Sequence, residues 1–491
     1  MATNPYFTQL HTQRFSFVGN PQQRDGAVTN FDQRFLNVYP ELIPSPISEG
    51  KKYYLKKRPG LQAFLQQGPP TVGTGGRGVY FWNNTLYSVV GNQLFANTGA
   101  IYTFGTTTGD CGFTLYQFTN GTVNLIVTDG NTMVQVDIAN GVTILFGYPI
   151  PHVPMPVYMD GYLFVAQLNG PGIYNSNLDD PGTWPTDGFI DVEMFAYPIQ
   201  ALVRNMNYVV AVTLGSIEFF YDNANATGSP LQRNAPAVSQ LGTPAPYTVN
   251  QTETEIILVG QTGNGGRTVW LITGFQPKEI AIEPIREALD TEGGLISLAH
   301  AFTIQVAGHK FYVLNLFSLQ RTFVYDFDEQ MWHEWSSGPG KTAFKCNWAT
   351  DSGNNLAIGA SGFPILQDTA TGILYQFSPY EYTDSGDPIN CQIQTIKLDF
   401  DTVKRKRFVR LSIVGDAPFF DSNVSMSVQW SDDDYTTFGP NPGRNMLLNG
   451  DYCTITNLGM GRRRAFLFVY QQPHPLRLEA FEVDITQEVR R

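Results

Sequence analysis

Seven apolar hairpins of one design recur between residues 78 and 380, and this repeat limits the chain to few architectures. Each pairs an apolar strand, a turn rich in Gly, Asn or Asp, and a second strand ending in aromatic or apolar residues. They occupy 86–95, 125–136, 163–174, 209–221, 257–272, 311–327 and 357–377, with successive starts 38 to 54 residues apart. That period fits the ~40 to 50 residues of a four-stranded propeller blade, and radial repetition hides sheet edges that would otherwise be exposed. The expectation is an all-β chain built on a β-propeller of six or seven blades, with a stacked β-sandwich as the competing architecture. The 47 Gly and 31 Pro, with 34 Phe, 24 Tyr and 7 Trp, suit short strands and tight turns.

Two stretches break the period. Residues 223–247 are polar, proline-rich and aperiodic, which predicts a long excursion from a blade. Residues 284–292 give the best helix, with Pro at its first turn and Ile285, Ala288 and Leu289 on one face. Near the C-terminus, alternating segments at 391–400, 407–414, 424–431, 465–470 and 478–485 predict half-buried strands of a β-sandwich or jelly roll. The domain expectation is therefore an extended N-terminal segment and linker over 1–77, the propeller over 78–390 with its insertion, and a sandwich-like domain over 391–491.

Charge is uneven. The chain carries −12 overall, divided as +5 over 1–77, −18 over 78–390 and +1 over 391–491. An acidic middle repels nucleic acid, so tight DNA binding is disfavoured. With 42% hydrophobic residues the chain is too apolar for disorder, and no run approaches the ~18 apolar residues of a membrane span. The start Met1-Ala2-Thr3-Asn4-Pro5 lacks the basic-then-apolar pattern of a secretory signal. Cys111, Cys346, Cys391 and Cys453 are isolated, with no C-x-x-C pair, which points to a reduced, cytoplasmic origin and no zinc site.

Candidate chemistry is sparse. Asp432, Asp433 and Asp434 lie in S-D-D-D-Y-T-T-F, a degenerate form of the Asp-box turn S-x-D-x-G-x-T-W with Tyr435 where glycine belongs. A turn is expected there rather than a cation site, because three consecutive acids do not all face one ion. His11, His152, His300, His309, His333 and His474 form no ligand-spaced pair. G-Q-T-G-N-G-G at 260–266 lacks the G-K-[ST] of a phosphate loop and reads as a hairpin turn. No catalytic, cofactor or metal residue is assigned. Three basic clusters remain: Lys51, Lys52, Lys56, Lys57 and Arg58; Lys404, Arg405, Lys406, Arg407 and Arg410; and Arg462, Arg463 and Arg464. From the last two, Lys404, Arg405, Lys406, Arg407, Arg462, Arg463 and Arg464 are the candidates for an assembly interface, since basic ends complement an acidic middle in neighbouring copies.

R-F-L-N-V-Y-P-E at 34–41 followed by Y-L-K-K-R-P-G-L at 54–61 resembles the start of the tail nozzle proteins of short-tailed bacteriophages, also labelled tail hub or packaged-DNA stabilisation proteins. The likeness continues through G-S-I-E-F-F-Y-D at 215–222, G-R-T-V-W-L-I at 266–272, I-A-I-E-P-I-R at 280–286, F-V-Y-D-F-D-E-Q-M-W-H-E-W at 323–335 and N-L-G-M-G-R-R-R-A-F at 457–466. It departs at Asp433-Asp434-Tyr435, where the family's turn has glycines, and in the length of 223–247. The resemblance implies a structural protein with no catalytic residues. Six copies would form a tube below the portal and adaptor rings in the virion tail, assembled in the host cytoplasm. Expected partners are other copies, the adaptor, needle, plug or fibre proteins, and genomic DNA passing the lumen with weak contact; no membrane anchor is implied. The alternative is a glycan-binding or glycosidase propeller, motivated by the Asp-box-like turn and the abundance of Tyr and Trp.

Overall fold

The computed structural model describes residues 10–18, 33–43, 53–68, 75–139, 141–195, 197–225, 227–338, 342–351, 354–416, 424–448 and 453–487. They form two compact units: Met1–Gln62 with Phe323–Ala343 and Ser378–Arg491, and Ala63–Thr322 with Phe344–Phe377. These units are drawn differently from the three consecutive segments expected, because strands from both ends of the chain share one core.

In the second unit, seven inner strands stand side by side: Gly76–Trp82, Gly112–Gln117, Val157–Met159, Ile199–Asn205, Asn250–Gln251, His300–Val306 and Cys346–Thr350. The last neighbours the first, and antiparallel strands run outward from each, so the ring is a seven-bladed β-propeller. In the seventh blade the strand Gly60–Gln66 lies next outside Ile373–Ser378, so chain from before the first blade completes the last. Blade strands are apolar on successive residues because both faces are covered. In the second blade, Leu125 and Val127 pack with Tyr87, Val89 and Leu94 of the first, whereas Ile126 packs with Leu163 and Val165 of the third. Each such side chain contributes about 1.5–3 kcal/mol on burial. Turns follow the residues: Asp160 and Gly161, with φ of 49° and 84°, form the two-residue link from Val157–Met159 to Tyr162–Ala166.

The helix Glu283–Glu292 buries Ile285, Ala288 and Leu289 as its spacing predicts. Of the turn expected at 260–266, residues 263–266 link Glu255–Thr262 to Arg267–Thr273, while 260–262 belong to the first strand. The 223–247 stretch is no excursion. Leu231–Arg233 pairs with Phe220–Asp222 as the outermost strand of the fourth blade, and Leu241–Gly242 pairs with Gln261–Thr262 in the fifth. Strands of two or three residues are too short for periodicity to reveal.

The first unit is a β-sandwich. One sheet runs Val38–Leu42, Tyr53–Lys57, Arg477–Gln487, Lys406–Gly415, Thr454–Gly461, with His11–Ser16 also paired to Arg477–Gln487. The other includes Met331–Trp335, Arg34–Leu36, Cys391–Gln394, Ala465–Tyr470, Ser425–Ser431 and Gly439–Leu447 in that order. Phe17, Leu55, Phe408, Phe466, Phe468 and Phe481 belong to the shared core. Among the described N-terminal residues, His11–Ser16, Arg34–Leu36, Val38–Leu42 and Tyr53–Lys57 run as strands of this sandwich.

Candidate assembly surface

Lys406–Gly415 and Thr454–Gly461 pair antiparallel, with Lys406 opposite Gly461 and Arg407 opposite Met460. The register therefore brings the clusters 404–407 and 462–464 to one sheet end, a meeting that separation in sequence conceals. The candidates then divide. Lys404, Arg405, Arg407, Arg462 and Arg463 are exposed, while Lys406 and Arg464 are buried. Lys406 is 0% exposed, and its ammonium donates to the carbonyls of Thr402 at 2.7 Å, Lys404 at 2.9 Å and Arg462. Burial lowers its pKa, with Asp399 opposing. This one cation staples the loop carrying Lys404 to the loop carrying Arg462. Arg464, 1% exposed, donates from Nε and Nη2 to both Asp432 oxygens at 2.8 and 2.6 Å and from Nη1 to the Leu458 carbonyl at 2.7 Å. Its plane lies over Phe408 at 4.0 Å and Trp430 at 5.1 Å. Gly461 is needed beside it, since a Cβ there would stand 2.5 Å from Asp432 Oδ1.

The three acids have separate tasks. Asp432 pairs with Arg464. Asp433 accepts from the Ser431 hydroxyl at 2.7 Å, the Thr437 amide at 3.0 Å and the Thr437 hydroxyl at 2.5 Å. Hydrogen bonds from Thr437 first, then Ser431, hold its pKa down to about 2. Asp434 pairs with Arg463 and, at 3.5 Å, with Lys397. Asp434 and Tyr435 take φ of 58° and 70°, the left-handed conformation that glycine supplies in the family's turn. Burial of the Tyr435 ring offsets that strain.

The first basic cluster is spent inside the sandwich, apart from Lys51 and Lys52, which lie outside the described residues. Lys56 pairs with Glu41 at 2.9 Å. Lys57 donates to the carbonyls of Tyr382 and Gln472, both at 2.8 Å, and burial brings its pKa down to about 8. Arg58 is fully buried and grips both Asp384 oxygens at 3.0 and 2.6 Å, the Asn37 side chain at 2.8 Å and the Ser336 carbonyl at 2.8 Å. Asn37 in turn donates to the Ser336 hydroxyl at 2.8 Å and the Asn390 carbonyl at 2.9 Å. Arg34 forks onto Glu334 at 2.8 and 2.6 Å. Three of the segments that carry the phage resemblance, 34–41, 54–61 and 323–335, thus meet at one ionic node. Their spacing gave no sign of this.

The propeller has a separate feature at its axis. Arg77 donates to the carbonyls of Gly91, Thr106, Thr108 and Gly109 at 2.6–2.9 Å and fixes the loop that carries Asp110. Asp110 reaches His300 of the sixth blade, Oδ1 to Nε2 3.0 Å, and Nδ1 of His300 lies 2.9 Å from the Leu298 carbonyl. Both oxygens are acceptors, so the geometry is satisfied when His300 carries both protons. Burial opposes that charge, but Asp110 and the Leu298 carbonyl outweigh it and raise the pKa. Tyr247 stacks on the ring at 4.9 Å and Trp348 meets it edge-on at 5.7 Å. Asp110, Tyr247 and Trp348 border a cavity of ≈ 660 Å³ that also has Phe113, Arg204 and Asn250 in its wall.

A closed seven-bladed ring defines a β-propeller protein. Residues 23–372 match the family described as bacteriophage P22 Gp10, beta-propeller. The chain belongs to that family, the tail nozzle proteins of short-tailed phages, and is a structural protein of the virion tail. A search of curated proteins finds no match. Similar solved structures include a streptogramin B lyase (13% identity, TM-score 0.41, covering 64% of this chain and 96% of the other). Others are the N-terminal domain of Nup159 (10%, 0.39, 70% and 98%) and the WD40 domain of Toxoplasma gondii coronin (10%, 0.39, 73% and 93%). None of these likenesses bears on what this chain does.

Proposed function

We propose that the chain assembles as a homohexameric tube below the adaptor ring, retains packaged DNA and conducts it at ejection. The family match over residues 23–372 carries this reading. The structure supports it in kind, since the resemblance-bearing residues serve as clamps rather than as a reacting constellation. In this reading the conduit lies between copies. The cavity beside Asp110, Tyr247 and Trp348, ≈ 660 Å³, has no room for duplex DNA, of which a single turn is about 34 Å long. The partners are the adaptor and the needle, plug or fibre proteins. Assembly takes place in the host cytoplasm, which suits four cysteines that form no C-x-x-C pair.

Six copies repeat the −18 of residues 78–390 around the tube, so like charge keeps DNA from adhering while confinement and plugs retain it. Electron microscopy of the chain with neighbouring tail proteins should show a closed six-membered ring; a different stoichiometry or no ring removes the proposal. Isolated rings should bind duplex no tighter than the about 10⁻⁴ to 10⁻⁶ M of non-specific binders. Submicromolar affinity with a steep salt dependence in filter binding would replace sliding with a gripping channel.

A further inference from the structure

The sheet end that gathers the two basic clusters is more than a charged rim. Val403 is 87% exposed between Thr402 and Lys404, Ile396 is 48% exposed, and Met460 is 37% exposed opposite Arg407. Lys404, Arg405, Arg407 and Arg462 have no ion-pair partner among the described residues, whereas Arg463 and Lys397 are engaged by Asp434. Lys406 and Arg464 hold the ledge in shape from below, so its side chains are displayed on fixed loops. Fixing a surface before binding lowers the ordering cost of association.

We infer that this ledge docks onto an acidic, partly apolar face of a second copy of the chain. The inference rests on the hexamer reading and names the surface that closes it. Two observations select a protein over nucleic acid. Bare Val403 and Met460 among arginines match protein interfaces, which favour Arg and Met around an apolar centre, while a sugar–phosphate rail offers chiefly hydrogen-bond acceptors. The complementary charge also lies in this chain, whose residues 78–390 carry −18. A ledge meeting a different surface on the next copy is a head-to-tail contact, the kind that closes a ring.

The test is sedimentation of the full-length chain between about 0.05 and 0.5 M salt, where screening changes most. Wild type should self-associate most tightly at low salt. Arg405→Glu, Arg407→Glu and Arg462→Glu together should weaken association at least about tenfold with unchanged melting, because all three side chains are exposed. Val403→Ser should weaken it by a smaller factor that salt does not alter. A triple variant that associates like wild type, or a wild type that stays monomeric throughout, overturns the ledge. Duplex binding tighter than micromolar that the triple variant loses would assign the ledge to nucleic acid and equally overturn it. Failure of the nozzle reading looks different: no ring of wild-type chain in assembled tails, whatever the solution behaviour.

Discussion

In the propeller, neighbouring blades adhere through apolar side chains that alternate between partners, Leu125 and Val127 facing one blade and Ile126 the other. In the first unit, segments distant in sequence are also joined by ion pairs: fully buried Arg58 to Asp384, 326 positions apart, and half-exposed Arg34 to largely buried Glu334, 300 apart. The difference follows from connectivity. Apart from the closure of the seventh blade on the first, a blade finds its partners next to it in sequence, so non-directional packing suffices. The sandwich collects strands from 11–57, 331–335 and 391–487, and must choose among many similar strands. A bidentate Arg–carboxylate pair is directional, and a wrong match leaves a charge buried and unpaired.

The sharpest way to break this comparison is to orphan one ion. Asp384→Ala leaves Arg58 fully buried without its carboxylate and should cost about 3–5 kcal/mol in the urea transition of the sandwich. Replacing both, Arg58→Met with Asp384→Leu, should cost less, since no charge is stranded. A loss below about 1 kcal/mol for Asp384→Ala alone would show that the node is not a clamp.

The two units should also differ in their response to pH. In the propeller, Nε2 of His152 lies 2.7 Å from the Thr128 hydroxyl, and burial drives the His152 pKa down to about 4. The unfolded chain binds its proton more readily, so this contribution is intact above about pH 6.5 and declines as pH falls toward 4. The loss approaches about 3 kcal/mol at the acid limit. His300 acts in the opposite sense. Its folded pKa is raised, so the Asp110 pair is fully present below about 6.5 and is lost as pH rises through the folded value. His152→Gln should flatten the acid limb of the melting profile and His300→Gln the neutral limb. Asp110, Tyr247, Cys111 and Arg77 are the titratable groups around that site. Asp110→Asn should therefore lower the His300 titration measured by NMR, and no change would remove the ion pair from the account. In the sandwich, Lys57 works against stability below its folded value of about 8 and ceases to do so as pH rises toward 10.5.

How much of this was legible depended on the range of the interaction. The first six hairpins, the helix Glu283–Glu292 and the strand Ala465–Tyr470 are written in local periodicity and stand where their patterns place them. In the seventh, the expected first strand at 357–359 falls in and after a 3-10 turn, Leu356–Ile358, and the hairpin is made by Ile365–Asp368 and Ile373–Ser378. Leu231–Arg233 and Leu241–Gly242 are too short to carry a period, so their pairing with neighbouring strands had to be observed. The basic clusters were visible as composition, but composition does not tell an Arg that faces solvent from one that holds a carboxylate. Lys406 and Arg464 look like Lys404 and Arg463 in the sequence, and only strand register buries the first pair and exposes the second. His300 met Asp110 across 190 positions, beyond any spacing rule.

The smallest effects belong to the acid triplet, where the same contrast between buried and exposed charge can be read within three residues. Asp432→Ala removes the carboxylate of buried Arg464, which keeps the Leu458 carbonyl and two aromatic faces, so the cost should be about 1–3 kcal/mol. Asp434→Ala breaks exposed pairs with Arg463 and Lys397 and should cost about 0–1 kcal/mol. Asp433 is the turn's acceptor, and its contribution is visible by pH rather than by size. With its pKa lowered from 3.8 to about 2, the stability it adds is present above 3.8 and is lost as pH falls through 2, so wild type and Asp433→Ala should converge in melting temperature there. None of the three changes should create or remove glycan cleavage. Sugar hydrolysis by wild type that Asp432→Ala or Asp433→Ala abolishes would make the turn a site and favour a glycosidase, whereas the ranking above, without hydrolysis, leaves it a strand connection pinned by one buried arginine.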